Sequence, residues 1–325
     1  MAVRVGFIGC GGMNRAHMSR VHGMKGTEIV GVCDIDKPRA KAAGGEFATP
    51  VFADHRKMLE SVPMDALFIA VPPFAHGDQE TLAASKGIHL FVEKPVAVDV
   101  KKARLIQRAI EKAGVIATVG FQDRYQDIVA KLRKALAKNP PGLIMGYWVG
   151  EMPGVPWWRR KEQSGGQAVE QTIHTFDMAR YLFGEVKTVH AVSSKGLMKD
   201  IPKYNVEDAS CVNLQFRSGL CGTIFSGCFL RGCPGKVGLD VWTPTVRYEY
   251  AGRSRLAIIQ SGHESELLEV GNDFGGDIVR TFIEAVRKGD PSKLKSTYAD
   301  GVKSLAVVCA ANESMATGEA VRVKA

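Results

Sequence analysis

Glycines cluster directly after the first apolar segment of the chain. The segment VRVGFIG (3–9) runs into GCGGMN (9–14), which matches the GxGxxG pattern with an asparagine at the third glycine position. Gly9 and Gly11 permit a tight turn and a close approach of the backbone to a pyrophosphate, and the helix that follows presents its N-terminus to the anion. Asn14 is larger than glycine and weakens the pattern. The spacing nevertheless predicts a dinucleotide-binding turn.

An acidic residue ends the second apolar segment, at the position where a dinucleotide-binding turn requires one. The second apolar segment, EIVGVCD (28–34), ends in Asp34, twenty residues beyond Asn14. A carboxylate at this position accepts hydrogen bonds from the adenosine ribose hydroxyls and repels a 2′-phosphate, so the sequence predicts NAD rather than NADP. Arg39 lies close enough in sequence to reach a 2′-phosphate, and this keeps NADP open as the alternative cofactor.

A Glu-Lys-Pro sequence ends another strand segment. HLFVEKP (89–95) places Glu93 and Lys94 at the carboxyl end of the strand, which is the edge where open parallel sheets bind ligands. A solvated Glu-Lys ion pair is the alternative interpretation. Five mostly apolar residues before the pair favour an active-site element, and Pro95 raises the frequency of a cis peptide at Lys94.

A row of polar residues recurs at helical spacing in GGQAVEQTIHTFDMARYLFG (165–184). Glu170, His174, Asp177 and Tyr181 follow one another at intervals of four, three and four residues, which places them on one face of a predicted helix over 166–183. Apolar residues border this row on both sides. The pattern indicates the wall of a cleft with His174 as a candidate base, against the alternative of a histidine packed in the core.

The elements that must position these residues differ between the two parts of the chain. Up to about residue 122, short strand segments such as ALFIAV (66–71) and VIATVGF (115–121) alternate with helical stretches such as VKKARLIQRAIEKAG (100–114). This alternation is typical of βαβ units and predicts a doubly wound parallel sheet, the Rossmann arrangement.

Beyond residue 122 the strand segments follow one another without intervening helices. They lie at 143–149, 186–194, 207–217, 220–229, 236–242, 245–250 and 254–260. Consecutive strands predict a large, mostly antiparallel open sheet, and helices are expected over 273–288 and 299–317. The predicted fold class is therefore α/β, with a dinucleotide-binding domain at 1–122 and a substrate-binding and oligomerisation domain at 123–325.

Length and composition are consistent with this division. The 325 residues suffice for two folded domains, and 45% hydrophobic with 24% charged residues is an ordinary globular balance. No apolar run reaches the roughly 18 residues of a membrane span. The charge of +9 attracts anions without specificity. Its densest basic run, 131–138, lacks interleaved aromatic residues, so we expect a solvated helix face and no nucleic-acid partner.

Seven cysteines are scattered along the chain without CxxC spacing. Their odd number and wide separation predict reduced thiols and no metal site. The N-terminus MAVRVGFIGCGG shows no charged and apolar leader of the secretory kind. We therefore expect a cytoplasmic protein.

Four segments together resemble one family. They are FIGCGGMNRAH, AVPPFAHGDQETLAASKGIHLFVEKPVA, VGFQDRY and SGGQAVEQTIHTFDMARYL, and the C-terminal YADGVKSLAVVCAANESMATGEAV is similar as well. The chain resembles the Gfo/Idh/MocA family, which includes glucose-fructose oxidoreductase and inositol dehydrogenase. The Glu-Lys-Pro and GG…H..D elements are specific to this family, and the resemblance extends over essentially the whole chain.

The resemblance implies a Rossmann domain, an open-sheet domain and a tightly held nicotinamide cofactor. It places the catalytic lysine at Lys94 and the catalytic histidine at His174. Where the family has Asp four residues before the histidine, this chain has Glu170, which we include as a third catalytic candidate. The expected cofactor-binding residues are Gly9, Gly11, Gly12, Met13, Asn14, Asp34, Arg39, Val71, Pro72, His76, Glu93 and Lys94. The expected substrate-binding residues are Lys94, Arg124, Tyr125, Trp157, Trp158, Glu170 and His174.

The expected activity is that of an NAD(P)-dependent dehydrogenase acting on CH–OH groups. It would move a hydride between NAD and a secondary alcohol carbon of a sugar, polyol or sugar derivative. Two alternatives stay open: a glycoside hydrolase that oxidises its sugar transiently and then eliminates the aglycone, and a nonenzymatic NAD(H) sensor. A sheet face without helices to cover it predicts a homodimer or homotetramer.

Overall fold

The computed structural model describes residues 2–260 and 263–324. The chain forms two compact units, and each contains segments that are distant in sequence. Unit 1 comprises Met1–Ala97, Lys101–Phe121 and Gly275–Val302. Unit 2 comprises Val98–Val100, Gln122–Phe274 and Lys303–Ala325.

A six-stranded parallel sheet forms the centre of unit 1. Its strands are β1 (Val3–Ile8), β2 (Thr27–Cys33), β3 (Val51–Phe52), β4 (Ala66–Ile69), β5 (His89–Val92) and β6 (Ala117–Val119). Their order in the sheet is β3-β2-β1-β4-β5-β6. The strand order reverses beside β1, and ligands of doubly wound sheets bind at the carboxyl ends of strands next to such a reversal. The predicted Rossmann arrangement is confirmed.

Helices connect these strands. They are α1 (Gly12–His22), α2 (Lys37–Glu46), α3 (His55–Ser61), α4 (Gln79–Ser85) and α5 (Val100–Ala113), with a 3-10 helix at Pro73–Ala75. Side chains fix two of the helix starts, because Asp36 accepts a hydrogen bond from the Arg39 backbone N–H and Asp54 accepts one from that of Arg56. In α5 the apolar residues Ala103, Ile106 and Ile110 recur at helical spacing and are buried.

The segment Gly275–Val302 belongs to unit 1, whereas the sequence analysis assigned all of 123–325 to the second domain. Helix α10 (Phe274–Lys288) explains the difference. The ring of Phe282 packs edge-on against Phe68 and Phe91 of the parallel sheet, with ring centroids 5.5 and 5.7 Å apart. Both faces of a parallel sheet need a cover, and α10 supplies part of one.

Unit 2 contains a nine-stranded, mostly antiparallel sheet. Its strands are β7 (Leu143–Val149), β8 (Val186–Ser194), β9 (Ala209–Phe216), β10 (Cys221–Gly227), β11 (Lys236–Trp242), β12 (Val246–Ala251), β13 (Arg255–Gln260), β14 (His263–Glu269) and β15 (Val321–Arg322). They lie in the order β14-β13-β12-β11-β7-β10-β9-β8-β15, and β7 pairs with β10 in parallel. The predicted open sheet is confirmed.

The helices of unit 2 are α6 (Asp127–Leu136), α7 (Lys161–Ser164), α8 (Gln167–Glu170) and α9 (Ile173–Phe183), preceded by a 3-10 helix at Gln122–Tyr125. The long helix α11 (Tyr298–Thr317) begins in unit 1 and continues in unit 2. Lys131, Arg133, Lys134 and Lys138 in the basic run are exposed, as expected for a solvated face.

The two faces of the nine-stranded sheet differ. On one face Gly146 of β7 lies under α9, where a Cβ atom would come within 2.8 Å of the Thr175 methyl group. Strand neighbours point to opposite faces, so Tyr147 lies on the other side. There its ring stacks on Phe225 of β10 at a centroid distance of 5.9 Å.

No helix within the described part of the chain is long and apolar enough to cross a membrane.

Candidate active site

The turn after β1 leaves room for a ligand. Gly9 has φ +85°, and a Cβ atom there would lie 2.2 Å from the carbonyl oxygen of Ala70, so only glycine fits. At Gly11 and Gly12 an added Cβ would meet no heavy atom within 4 Å. The turn is therefore closed against the sheet at its first glycine and open at the next two, where a phosphate group would approach the N-terminus of α1.

Asn14 closes this turn from within the helix. It is buried, and its side-chain amide donates to the carbonyl oxygens of Ile8 at 2.8 Å and Gly9 at 2.7 Å. A glycine at this position would lack both bonds. The departure from the GxGxxG pattern thus replaces a close helix–strand approach with two hydrogen bonds to the turn.

Asp34 lies immediately after β2, beside the glycine turn. Its carboxylate accepts backbone N–H bonds from Cys10 at 2.8 Å and from Asp36 at 2.9 Å, and the residue is 7% exposed. The Arg39 guanidinium lies 3.6 Å from Asp34 and 3.2 Å from Asp36. The carboxylate is held in place at the turn, and the half-exposed arginine is shared between two acids.

Cys10 lies inside the glycine turn, and its thiol is unreactive at neutral pH. Burial raises the pKa of its thiol to about 12, and the neighbouring Asp34 carboxylate adds to the rise. At neutral pH this thiol stays protonated, and a thiol is not a nucleophile. We therefore assign Cys10 a packing role.

Glu93 and Lys94 follow β5, with a cis Lys94–Pro95 peptide as the sequence favoured. A 2.8 Å hydrogen bond joins Glu93 Oε1 to Nε2 of the buried His17 on α1. Glu93 Oε2 accepts from the Lys94 backbone N–H at 3.2 Å. A Cβ atom at Gly120 would lie 2.6 Å from this carboxylate, so the glycine makes room for it. Lys94 itself is half-buried.

The loop after β4 contains the other expected cofactor-binding residues of unit 1. Val71 and Pro72 are half-buried, whereas Met13 on α1 is 44% exposed. A Cβ atom added at Gly9 would lie 3.5 Å from the Val71 side chain. His76 is buried, and its Nδ1 forms a short hydrogen bond with Glu80 on α4. The loop therefore lies beside the glycine turn, and His76 is oriented by Glu80.

The polar row of unit 2 is divided between two helices rather than carried by one. Helix α8 ends at Glu170 and α9 begins at Ile173. Within α9 the row also splits. His174 faces a pocket together with Thr175 and Met178, while Asp177 binds Arg124. The prediction of one helix over 166–183 with a continuous polar face is wrong in this respect.

The pocket beside His174 is a partly open cleft with an empty volume of about 240 Å³, some of it continuous with solvent. Its polar and aromatic lining includes Asp123, Trp148, His174, Tyr250 and Arg253, and its apolar lining includes Leu239 of β11. The Trp148 indole lies nearly parallel to the His174 ring, with centroids 5.6 Å apart and planes at 17°. The sequence analysis did not identify Asp123, Trp148, Tyr250 or Arg253.

Arg124 and Tyr125 occupy structural positions. Both are buried. The Arg124 guanidinium donates two hydrogen bonds to Asp177, at 2.8 and 2.6 Å, and lies 4.8 Å from the centre of the Tyr181 ring. The Tyr125 carbonyl accepts from the Asn272 side chain. The Arg124 contacts hold the 3-10 helix against α9, and the Tyr125 contact joins it to Asn272. Both residues were expected to bind substrate, and both have structural partners.

Trp158 lies inside the core of unit 2 with no exposed surface, packed against Val206 and Cys228. Its indole N–H donates a 2.8 Å hydrogen bond to Glu170 Oε2. Trp157 is half-buried beside this cluster. Trp158 was expected to bind substrate, but its position agrees with core packing and not with stacking on a sugar, because a buried ring presents no face to a ligand.

Comparisons with known proteins agree with this architecture. Residues 3–121 match the family model GFO_IDH_MocA, "Oxidoreductase family, NAD-binding Rossmann fold", and residues 143–241 match the GFO/IDH/MocA C-terminal domain. The chain is similar to the NAD(+)-dependent scyllo-inositol 2-dehydrogenase of Bacillus subtilis (strain 168), with 29% identity over 68% of this chain and 66% of that protein.

Two further likenesses extend over nearly the full length. The inositol 2-dehydrogenase of Rhizobium meliloti (strain 1021) is 27% identical over 97% of this chain and 98% of that protein. The solved structure of the WlbA dehydrogenase from Bordetella pertussis, in complex with NADH and UDP-GlcNAcA, superposes with a TM-score of 0.86 at 21% identity and covers 100% of both chains. That structure supports the fold. Since two family models match the two parts of the chain in order, the protein belongs to the GFO/IDH/MocA family of oxidoreductases, whose N-terminal domain is an NAD-binding Rossmann fold.

Proposed function

We propose that the protein is an NAD-dependent dehydrogenase that oxidises a secondary alcohol of a sugar, a polyol or a sugar derivative. The observation that carries the proposal is the position of His174 on a pocket of unit 2, in a chain whose unit 1 has the NAD-binding fold. The inositol dehydrogenases at 27–29% identity support a polyhydroxylated ring as the substrate class.

The glycine turn fits the proposed cofactor. Gly11 and Gly12 leave open space at the N-terminus of α1, and the fixed Asp34 carboxylate lies beside them. We assign the pyrophosphate to the turn and the adenosine ribose to Asp34. The cofactor supplies the hydride acceptor.

Side chains of the protein supply the proton chemistry. His174 accepts the hydroxyl proton of the substrate as a general base. Lys94 places a positive charge beside the developing alkoxide and stabilises it. Glu170, held by the Trp158 indole, has a lesser role in orienting these groups.

We also propose that the protein is a cytoplasmic homodimer or homotetramer. Seven free cysteines are consistent with a reducing compartment. The sheet face with Tyr147 and Phe225 is a candidate interface, since an aromatic patch on an open sheet favours association.

A substrate panel tests the proposal. The purified protein is mixed with NAD and with sugars, inositols or aryl glycosides, and NADH absorbance and aglycone release are followed in parallel. Net NADH formation with one class of polyol is the expected result. Aglycone release without net NADH would instead identify the transient-oxidation hydrolase, and NAD binding without any turnover would identify a sensor.

A further inference from the structure

The pocket beside His174 contains a carboxylate, that of Asp123, to which the proposed proton chemistry assigns no role. Asp123 comes from the 3-10 helix Gln122–Tyr125, and its Oδ2 lies 3.9 Å from His174 Nδ1. Both side chains are nearly buried, at 6% and 9% exposure. A separation of 3.9 Å exceeds a hydrogen bond but lies within ion-pair range, so the interaction is electrostatic.

Arg253 fixes the Asp123 carboxylate with two parallel bonds. Its Nε donates to Oδ2 and its Nη2 to Oδ1, each at 2.7 Å. This bidentate geometry sets the plane of the carboxylate as well as its position. Arg253 belongs to the turn between β12 and β13 and has φ +56°, a left-handed conformation that is rare outside glycine.

The turn that carries Arg253 is itself tied to the segment that carries Asp123. The Gln126 side-chain amide donates to the Arg253 carbonyl at 2.8 Å. The Tyr250 hydroxyl donates to the same Gln126 side chain at 2.9 Å. Two elements far apart in sequence are thereby joined at the pocket. Hydrogen bonds of Arg253 with Gln126 and Asp123 therefore hold the turn in its left-handed conformation.

The charge of Asp123 acts across the pocket. Burial raises the pKa of Tyr250, and the Asp123 carboxylate adds to this rise, while Arg253 and the Gln126 hydrogen bond oppose it. His174 lies beside the same carboxylate, and its ring stacks on Trp148. A negative charge on the Nδ1 side favours a proton at Nδ1, which leaves the Nε2 lone pair for a substrate.

We propose that Asp123, clamped by Arg253, is a positioning residue that holds His174 with its Nδ1 protonated and stabilises the imidazolium formed when Nε2 accepts a proton. The inference rests on the proposed function of His174 as the base. Asp123 and Arg253 then determine the protonation state and the tautomer of His174. We assign neither residue contact with the reacting atoms.

The test must separate the effect of Asp123 on His174 from that of the other charged and titratable groups nearby. Asp123, Tyr250 and Arg253 line the same pocket, and Glu170 precedes His174 on α8 with its carboxylate bound by Trp158. On α9 itself Asp177 is paired with Arg124. From β11, Val237 and Leu239 line the pocket, whereas Asp240 binds the Tyr147 hydroxyl on the other face of the sheet.

The test measures the protonation of His174 in the whole protein without a substrate. Histidine is labelled at Cε1, the signal of His174 is assigned by its loss in His174→Gln, and its NMR shift is followed against pH. We expect the titration midpoint to fall by about one pH unit or more in Asp123→Asn, because a buried charge about 4 Å away is removed. Asp123→Glu should restore it in part, and the matched control Asp240→Asn should leave it unchanged.

A second variant guards against misfolding. Arg253→Met removes the opposing positive charge and keeps Asp123, so the midpoint should rise, opposite to the effect of Asp123→Asn. General destabilisation does not produce shifts of opposite sign. If Asp123→Asn does not fold, Asp123→Ser, which also removes the carboxylate, replaces it in the same titration. A midpoint that stays at the wild-type value in the variants that fold overturns the proposal.

An activity measurement then separates this inference from the proposed function. With a substrate found in the panel, the acid limb of the kcat/KM profile should move to lower pH in Asp123→Asn. A wild-type protein without dehydrogenase activity contradicts the proposed function, while the NMR titration still judges the role of Asp123. An active wild type whose acid limb is the same in Asp123→Asn contradicts the role of Asp123 only.

Discussion

The indole N–H of Trp158 donates a 2.8 Å hydrogen bond to Oε2 of Glu170, so a fully buried ring holds one of the candidate catalytic carboxylates. Helix α8 ends at this glutamate, and the break before α9 separates it from His174. The bond gives Trp158 a function that does not need contact with a ligand. It also connects the core of unit 2 to the proposed proton chemistry.

Trp158→Phe tests this connection. Phenylalanine keeps most of the packing but loses the donor, so Glu170 is no longer held. We expect kcat to fall by about tenfold, which corresponds to a loss of about 1.4 kcal/mol of transition-state stabilisation when Glu170 is no longer held. Steady-state kinetics on the substrate found in the panel give the answer, and Glu170→Gln serves as the reference. A Trp158→Phe enzyme with wild-type kcat and an intact fold would exclude the connection.

Lys94→Ala and His174→Ala should damage chemistry rather than cofactor binding. Loss of a general base or of a charge stabiliser lowers the rate by about 10² to 10⁴. Calorimetry should give NAD dissociation constants close to wild type, while turnover falls by that factor. In the wild type, oxidation should become faster as pH rises, because a protonated His174 accepts no proton.

Two exposed residues provide controls for those substitutions. Lys86 follows α4 and His190 lies on β8, and both are exposed. Lys86→Ala and His190→Ala should keep both turnover and NAD affinity. Near wild-type turnover in His174→Ala would show that this histidine packs against Trp148 and is not the base.

NAD should bind more tightly than NADP by at least about tenfold, because Asp34 is fixed by two backbone N–H groups and meets a 2′-phosphate with like charge. Asp34→Ser should narrow this preference. Asp54→Ser is the matched control and should leave the preference unchanged, since serine still caps α3 and the change leaves both Asp34 and Arg39 in place. Dissociation constants from calorimetry decide, and equal values for both cofactors in the wild type would refute the assignment of Asp34.

The thiols should react with iodoacetamide at pH 8 in an order set by burial. Burial raises the pKa of Cys10, Cys33, Cys228 and Cys309 to about 12, so these remain thiols. Cys221 and Cys233 are exposed and should be alkylated first. Mass spectrometry of digested protein measures the order. Alkylation of Cys10 at the rate of Cys233 would mean that the glycine turn opens readily.

Light scattering at micromolar concentration should give a mass of two or four chains rather than 35.2 kDa. Phe225→Glu should shift this mass toward the monomer, because it places a charge in the aromatic patch of the open sheet face. Leu197→Glu changes an equally apolar residue that is 62% exposed outside the sheet and should leave the mass unchanged. A monomeric wild type would contradict the proposed assembly.

The sequence predicts most of the fold because its strands carry a readable period. The segments 143–149, 186–194 and 236–242 coincide with β7, β8 and β11. The two-residue strand β3 is too short to show a period, and α3 was not predicted either. The break at 171–172 escaped prediction because the helical spacing of polar residues continues across it.

The candidate site was less predictable than the fold. Motifs that lie within one segment, such as the glycine turn with Asp34 and the Glu93-Lys94 pair, were identified because adjacent residues carry the signal. Asp123 and Arg253 are 130 residues apart. No local pattern joins them, and only the pairing of the β12–β13 turn with the 3-10 helix brings them to His174. Trp158 was expected to bind substrate and instead lies in the core, because sequence alone does not distinguish an aromatic residue that packs in a core from one at a ligand site.

Helix α10 packs on the parallel sheet of unit 1 but lies late in the sequence, so it is synthesised long after the sheet that it covers. A ribosome releases the parallel sheet first, with Phe68 and Phe91 on it, long before it releases Phe282. At about 5–20 residues per second, those rings wait on the order of ten seconds or more for the helix that covers them. Nascent chains of the first unit therefore carry an aromatic patch that only His17 of α1 partly covers while the second unit is being translated, and chaperones that recognise apolar surface have that interval in which to bind.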